Sequence, residues 1–107
     1  MTTTREVQRY LQSCDLSRAT RPDAARSMGI SQNAMAKRLR KEGASFSELL
    51  EHERRWRCVG GLSKNRHMEG DQLARKCGYT HRESFYRAFR QWYGVTLTQW
   101  RATRGVC

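Results

Sequence analysis

Two stretches of the chain concentrate side chains able to exchange directional hydrogen bonds with a polar, charged surface. Gln32, Asn33, Ala36 and Lys37 fall in the first, and Arg82, Glu83, Tyr86 and Arg87 in the second. An amide such as Asn33 can pair with an adenine edge. Lys37, Arg82 and Arg87 match the acceptors of guanine, Ala36 offers an apolar contact to a thymine methyl, and Glu83 can accept from cytosine. Glu83 has other uses open to it, as a solvated charge, as a group that orients an arginine, or as an intrahelical partner of Arg87. Ser31, Arg38, Arg40, Lys41, Thr80, Arg90 and Arg101 lie beside or later in the same stretches, where hydroxyls and cations suit phosphate oxygens.

The whole chain supports a polyanion as partner. Its 107 residues carry 21 Lys+Arg against 10 Asp+Glu, a formal net charge of +11. Such a chain repels copies of itself and attracts nucleic acid. A membrane surface would want the basic residues massed beside one amphipathic segment, whereas here they recur throughout. The first ten residues lack the apolar stretch of a signal peptide, and no apolar run approaches the ~20 residues of a membrane span. The expectation is a cytoplasmic, nucleoid-associated protein with no membrane partner.

Other chemistries find little footing. Cys14, Cys58, Cys77 and Cys107 form no C-x-x-C pair, and His52, His67 and His81 fall at no metal-ligand spacing. Reduced thiols are expected, with Cys77 in the core, and no metal or other cofactor; a redox-sensing thiol stays open, but it should be exposed and activated, and the sequence shows neither. The sequence gives no nucleophile–base pairing, no Gly-rich phosphate loop and no clustered carboxylates, so an enzyme is not expected. His81 and Glu83 are close, but such pairs are common by chance.

The elements that must hold these residues read as all-α, with about seven short helices. There is one proline, charged helix formers abound, and long β-branched alternation is missing. A first helix fits Arg5 to Ser13, with Val7, Tyr10 and Leu11 on one face. Thr20 offers a hydroxyl cap, with Pro22 in the first turn and Asp23 placed as in a capping box, for a helix to about Met28 that Gly29 ends. Ser31 caps the next, whose Met35 and Leu39 point inward and which ends near Gly43. Ser45 opens a longer linker helix, with Phe46, Leu49, Leu50 and Trp56 near helical spacing, expected to run until Gly60-Gly61 weakens it. A further helix spans about Asp71 to Cys77 and is stopped by Gly78. Thr80 is expected to cap a helix through Trp92 that Gly94 closes, and Thr96 a last one through about Ala102. Helical spacing assigns Trp56, Trp92, Tyr93 and Trp100 to core packing rather than to stacking on bases.

The chain also repeats itself. A shift of 49 residues lays Ala25-Arg26 on Ala74-Arg75, Met28-Gly29 on Cys77-Gly78, Ile30 on Tyr79 and Ser31 on Thr80. After a one-residue insertion the match resumes with Met35 on Phe85, Lys37 on Arg87, Leu39 on Phe89 and Arg40 on Arg90. Each copy has an alanine at a helix crossing, a glycine where the turn needs positive φ, an apolar plug and a basic second helix, the parts of a helix-turn-helix. The organisation expected is a first helix-turn-helix subdomain over residues 5–44, a linker helix over 45–62 and a second subdomain over 63–104.

At this level the chain resembles the DNA-binding domain of the AraC/XylS family of bacterial transcription regulators. The likeness rests on Gly78-Tyr79-Thr80-His81-Arg82-Glu83-Ser84-Phe85-Tyr86-Arg87-Ala88-Phe89-Arg90, then Gly94-Val95-Thr96-Leu97 and Trp100-Arg101. Upstream, Gly29-Ile30-Ser31, Phe46-Ser47-Glu48-Leu49-Leu50 and Arg54 extend it, so that it covers roughly Arg5 to Arg104. Gly60-Gly61 departs from an alanine-rich helix, Arg55 and Gly70 stand at usually apolar places, and Leu97 replaces a proline. The resemblance implies a seven-helix fold whose recognition helices, near 31–41 and 81–92, enter successive major grooves of double-stranded DNA as a monomer. It implies a stand-alone regulator without a small-molecule effector, an activator ahead of a repressor, with RNA polymerase a candidate partner. The residues equally leave open an architectural or accessory DNA-binding protein of recombination or DNA transfer.

Overall fold

The computed structural model of the chain describes residues 2–104, and among them seven α-helices and one 3-10 turn are found, with no strand. The helices are α1 (Thr3–Ser13), α2 (Arg21–Ser27), α3 (Gln32–Lys41), α4 (Phe46–Lys64), α5 (Gly70–Lys76), α6 (Arg82–Tyr93) and α7 (Leu97–Arg104), with the 3-10 turn over Leu16–Arg18. Two compact units divide between Arg54 and Arg55, within the sequence span of α4. No helix of the described residues is long and apolar enough to cross a membrane.

In the first unit α1, α2 and α3 pack on one another around Val7, Leu11, Leu16, Ala24, Ala25, Met35, Leu39 and Phe46. Polar side chains tie the helix ends together. The Glu42 carboxylate accepts from the Thr3 and Thr4 amides at 3.1 and 2.7 Å and from the Thr4 hydroxyl at 2.5 Å, joining the end of α3 to the start of α1. Those bonds to its charged form hold Glu42 below the usual carboxylate range. Helix α1 begins at Thr3, two residues ahead of the expected start, and Thr2 caps it, its hydroxyl accepting from Arg5 N. Thr20 caps α2 by accepting from Asp23 N, but no box closes, because Asp23 accepts from Tyr10 Oη at 2.7 Å and from Arg26. Burial, and then this bond to Asp23, push the Tyr10 phenol up to about 12.

The second unit packs α5 on α6 and α6 on α7 around Cys58, Leu62, Met68, Leu73, Ala74, Cys77, Phe85, Phe89 and Leu97. Tyr79, Trp92, Tyr93 and Trp100 surround that core, with Phe89 meeting Trp100 edge to face at 6.3 Å and Tyr93 at 4.7 Å. Thr96 and Gln99 make a reciprocal capping box at the start of α7.

Three expectations are corrected. The linker helix does not weaken at Gly60-Gly61 but continues to Lys64. Gly61 is buried, and a Cβ there would stand 2.9 Å from Leu73 Cδ1, so the missing side chain lets α4 lie close to α5. Trp56 is not in the core but 67% exposed. The inward face of α4 in this unit is carried by Cys58 and Leu62, and at 100° per residue Trp56 lies about 200° from Cys58, on the far side. Thr80 does not cap α6. The capping position falls to His81, which makes no side-chain cap bond.

Candidate nucleic-acid interface

The two turns preceding the basic helices are built by the same backbone bonds. In the first, Gly29 N donates to Arg26 O at 3.0 Å and Ile30 N to Ala25 O at 3.1 Å. In the second, Gly78 N donates to Arg75 O at 3.1 Å and Tyr79 N to Ala74 O at 3.0 Å. Gly29 and Gly78 have φ of 69° and 87°, a conformation costly for any residue with a Cβ, which is why glycine recurs at this one place. Ala25 and Ala74 are both buried where the paired helices cross.

Beyond each turn the next helix divides cleanly. On α3, Met35 and Leu39 are buried while Gln32, Asn33, Ala36 and Lys37 are exposed, and Arg38, Arg40 and Lys41 continue the exposed basic surface. On α6, Phe85 and Phe89 are buried while Arg82, Glu83, Tyr86, Arg87 and Arg90 are exposed. The exposed quartets stand at equivalent positions, each beginning at the first residue of its helix. An N-terminal helix end studded with such groups can meet base edges, and the following cations can meet phosphates.

The electrostatics of the two faces differ. Helix α3 carries four cations and no acid, whereas α6 carries three cations and Glu83. Arg82 is shared between Asp71, at 3.4 Å from Nη1 to Oδ1, and Glu83, at 3.9 Å from Nε to Oε1. The pairs are open to solvent, so they orient the guanidinium without adding much stability. Glu83 lies within ion-pair distance of Arg82, and both side chains stay largely exposed, so the contact with an arginine leaves the carboxylate open to solvent and to a ligand.

Ser31 and Thr80 are exposed at the turn exits. The Ser31 hydroxyl oxygen accepts from Ala34 N at 3.1 Å, leaving its proton available to an anion. Tyr86 leans over Gly70 at the start of α5, and a Cβ there would collide with its phenolic oxygen. The glycine that departs from the family pattern thus seats this tyrosine. Arg101 stands apart from the other cations. It is half-buried, its Nε donates to Arg66 O at 2.9 Å and Nη2 to Met68 O, while Arg66 Nη2 donates back to Arg101 O at 3.0 Å. Sequence spacing missed this reciprocal clamp, since its partners are backbone carbonyls 33 and 35 residues away. Among the described residues no group of three or more His, Cys, Asp or Glu comes together to hold a metal ion.

This arrangement matches known proteins. The model of the family described as helix-turn-helix domain matches residues 24–103. An HTH-type transcriptional regulator of Mycobacterium tuberculosis is 32% identical over 78 residues, which are 73% of this chain and 22% of that protein. The HTH-type transcriptional regulator VqsM of Pseudomonas aeruginosa is 27% identical over 77 residues, 72% of this chain and 23% of that protein. The chain therefore spans less than a quarter of the length of the curated relatives it matches. Among solved structures, a DNA-binding transcriptional dual regulator of Escherichia coli K-12 superposes with a TM-score of 0.83 at 25% identity, covering 96% of this chain and 98% of that one. The C-terminal domain of AraT, a response regulator of Geobacillus stearothermophilus, superposes with a TM-score of 0.85 at 25% identity, covering 96% and 86%.

Proposed function

We propose, from the premise that this chain belongs to the AraC-type helix-turn-helix family of DNA-binding transcription regulators, that it reads one non-palindromic duplex site with both basic helices. Gln32, Asn33, Ala36 and Lys37 on α3, and Arg82, Glu83, Tyr86 and Arg87 on α6, are assigned to base edges in successive major grooves. Ser31, Arg38, Arg40, Lys41, Thr80 and Arg90 are assigned to phosphates, which fix position without reading sequence. Arg101 leaves that set, because its guanidinium is committed to the carbonyls of Arg66 and Met68. The division into a first reader over residues 5–44, a linker over 45–62 and a second reader over 63–104 belongs to the same proposal.

One observation carries this assignment: the same hydrogen-bonded turn occurs twice, each time followed by a helix with an apolar inner face and an exposed hydrogen-bonding, basic outer face. A helix-turn-helix protein ordinarily dimerises to reach two grooves about 34 Å apart, whereas a tandem pair reaches both within one chain and binds as a monomer. Activation through contact with RNA polymerase is the regulatory outcome proposed.

Selection of bound sites from a random duplex library, followed by affinity measurements at two salt concentrations, tests it. The expected result is a two-box motif about one helical turn apart, bound one to one. Failure to enrich any motif, with affinity collapsing as salt rises, would replace this assignment with an architectural one that rests on charge and DNA bending.

A further inference from the structure

The core of the second unit contains a feature that DNA reading does not use. Cys58 of α4 and Cys77 at the end of α5 are both outside any disulfide and without solvent exposure, and they belong to the same buried cluster. Gly61, one turn beyond Cys58, lets α4 approach α5 closely at Leu73, and within the shared cluster Cys77 is the hydrogen-bond partner of the Cys58 thiol. We propose that Cys58 and Cys77 form a modification site, a buried dithiol that a peroxide converts into an intramolecular disulfide clamping α4 to the end of α5.

The chemistry balances with the peroxide as oxidant. The Cys58 thiolate attacks one peroxide oxygen, the O–O bond breaks, and the departing hydroxide takes the thiol's proton as water, leaving a sulfenic acid. The Cys77 sulfur then attacks the Cys58 sulfur, the S–O bond breaks, and hydroxide leaves with the Cys77 proton as a second water. Two thiols are oxidised by two electrons and one peroxide is reduced to two waters. The hydrogen bond from Cys77 holds the Cys58 thiol below its ordinary range, against the opposing effect of burial, and so favours the nucleophilic form. Access for a small oxidant comes through local opening of α4 where it covers the two sulfurs. The bond would be made at the residue immediately before the Gly78 turn that leads to α6.

The test uses the intact chain and does not depend on DNA binding. The folded protein is treated with hydrogen peroxide, or separately with diamide, blocked with iodoacetamide, digested with trypsin without reduction and mapped by mass spectrometry. The expected product joins Cys-Val-Gly-Gly-Leu-Ser-Lys (residues 58–64) to Cys-Gly-Tyr-Thr-His-Arg (residues 77–82), lighter by two hydrogens and abolished by dithiothreitol. The same oxidation in urea should scatter the cross-links over all four cysteines. Cross-links in the folded chain that run only through Cys14 or Cys107, or recovery of Cys58 and Cys77 unlinked after both oxidants, overturns the proposal.

Discussion

The two units reach the same backbone plan by different means. In the first, short hydroxyl side chains set the helix starts, at Thr2, Thr20, Ser31 and Ser45, and the core is largely aliphatic. In the second, α5 and α6 begin without a side-chain cap, and rings of Phe85, Phe89, Tyr79, Trp92, Tyr93 and Trp100 hold the helices. Caps act locally and each satisfies an orphan amide, while rings act by burying area between helices. A helix-turn-helix therefore needs its turn, its glycine and its inward face, and is indifferent to which force holds the rest. The outer faces differ too, since α3 presents cations alone while α6 presents an arginine already engaged by acids.

The sharpest test of this contrast is in the cores. Phe89→Ala should cost about 3–5 kcal/mol of folding free energy by denaturant titration. Met35→Ala, cutting the aliphatic core, should cost about 2–5 kcal/mol. A cost for Phe89→Ala well below that of Met35→Ala would break the claim that rings dominate the second unit.

On DNA, Arg82→Ala should lose about 1–3 kcal/mol on the preferred site and relax choice at one base, whereas Arg40→Ala should weaken all sequences alike and lower the salt slope by about 1. Equal loss on every sequence for both variants would erase the functional difference between the faces.

The caps offer a smaller contrast. Ser31→Ala should destabilise the protein by about 1 kcal/mol, since Ala34 N loses its acceptor, while His81→Ala, which removes no cap bond, should change stability by under about 0.5 kcal/mol.

The last effect expected is confined to alkaline pH. Because burial, and then the bond to Asp23, push the Tyr10 phenol up from an ordinary 10 to about 12 in the folded protein, the protonated phenol contributes stability that is fully present below pH 10. That contribution fades as pH rises from 10 to about 12, where the folded state binds more protons than the unfolded one. Tyr10→Phe should flatten the stability profile in this window, as followed by thermal unfolding across pH; an unchanged slope would mean the phenol carries no such linkage.

Periodicity and turn chemistry were sufficient for the repeated elements. The spacing of Met35 with Leu39 and of Phe85 with Phe89 already assigns an inner and an outer face, because residues four apart share one side of a helix. Gly29 and Gly78 mark the turns because positive φ excludes most other residues. The failures lie where a residue's fate depends on what another element brings to it. Gly60-Gly61 looked like a weak point because helix propensity counts backbone freedom alone, whereas burial of Gly61 against Leu73 offsets that cost. Trp56 was assigned inward on a face that α4 does not present to the second core.

By itself, then, the sequence determined the class of partner, the helical content and the doubled turn, since charge, propensity and glycine stereochemistry act over a few neighbouring residues. Tertiary structure alone decided that Arg101 clamps the Arg66 and Met68 carbonyls, that Tyr86 rests on Gly70 and that Cys58 meets Cys77. Each of these pairs separates by 16 to 35 residues along the chain, and only the packing of whole helices sets the distances between them.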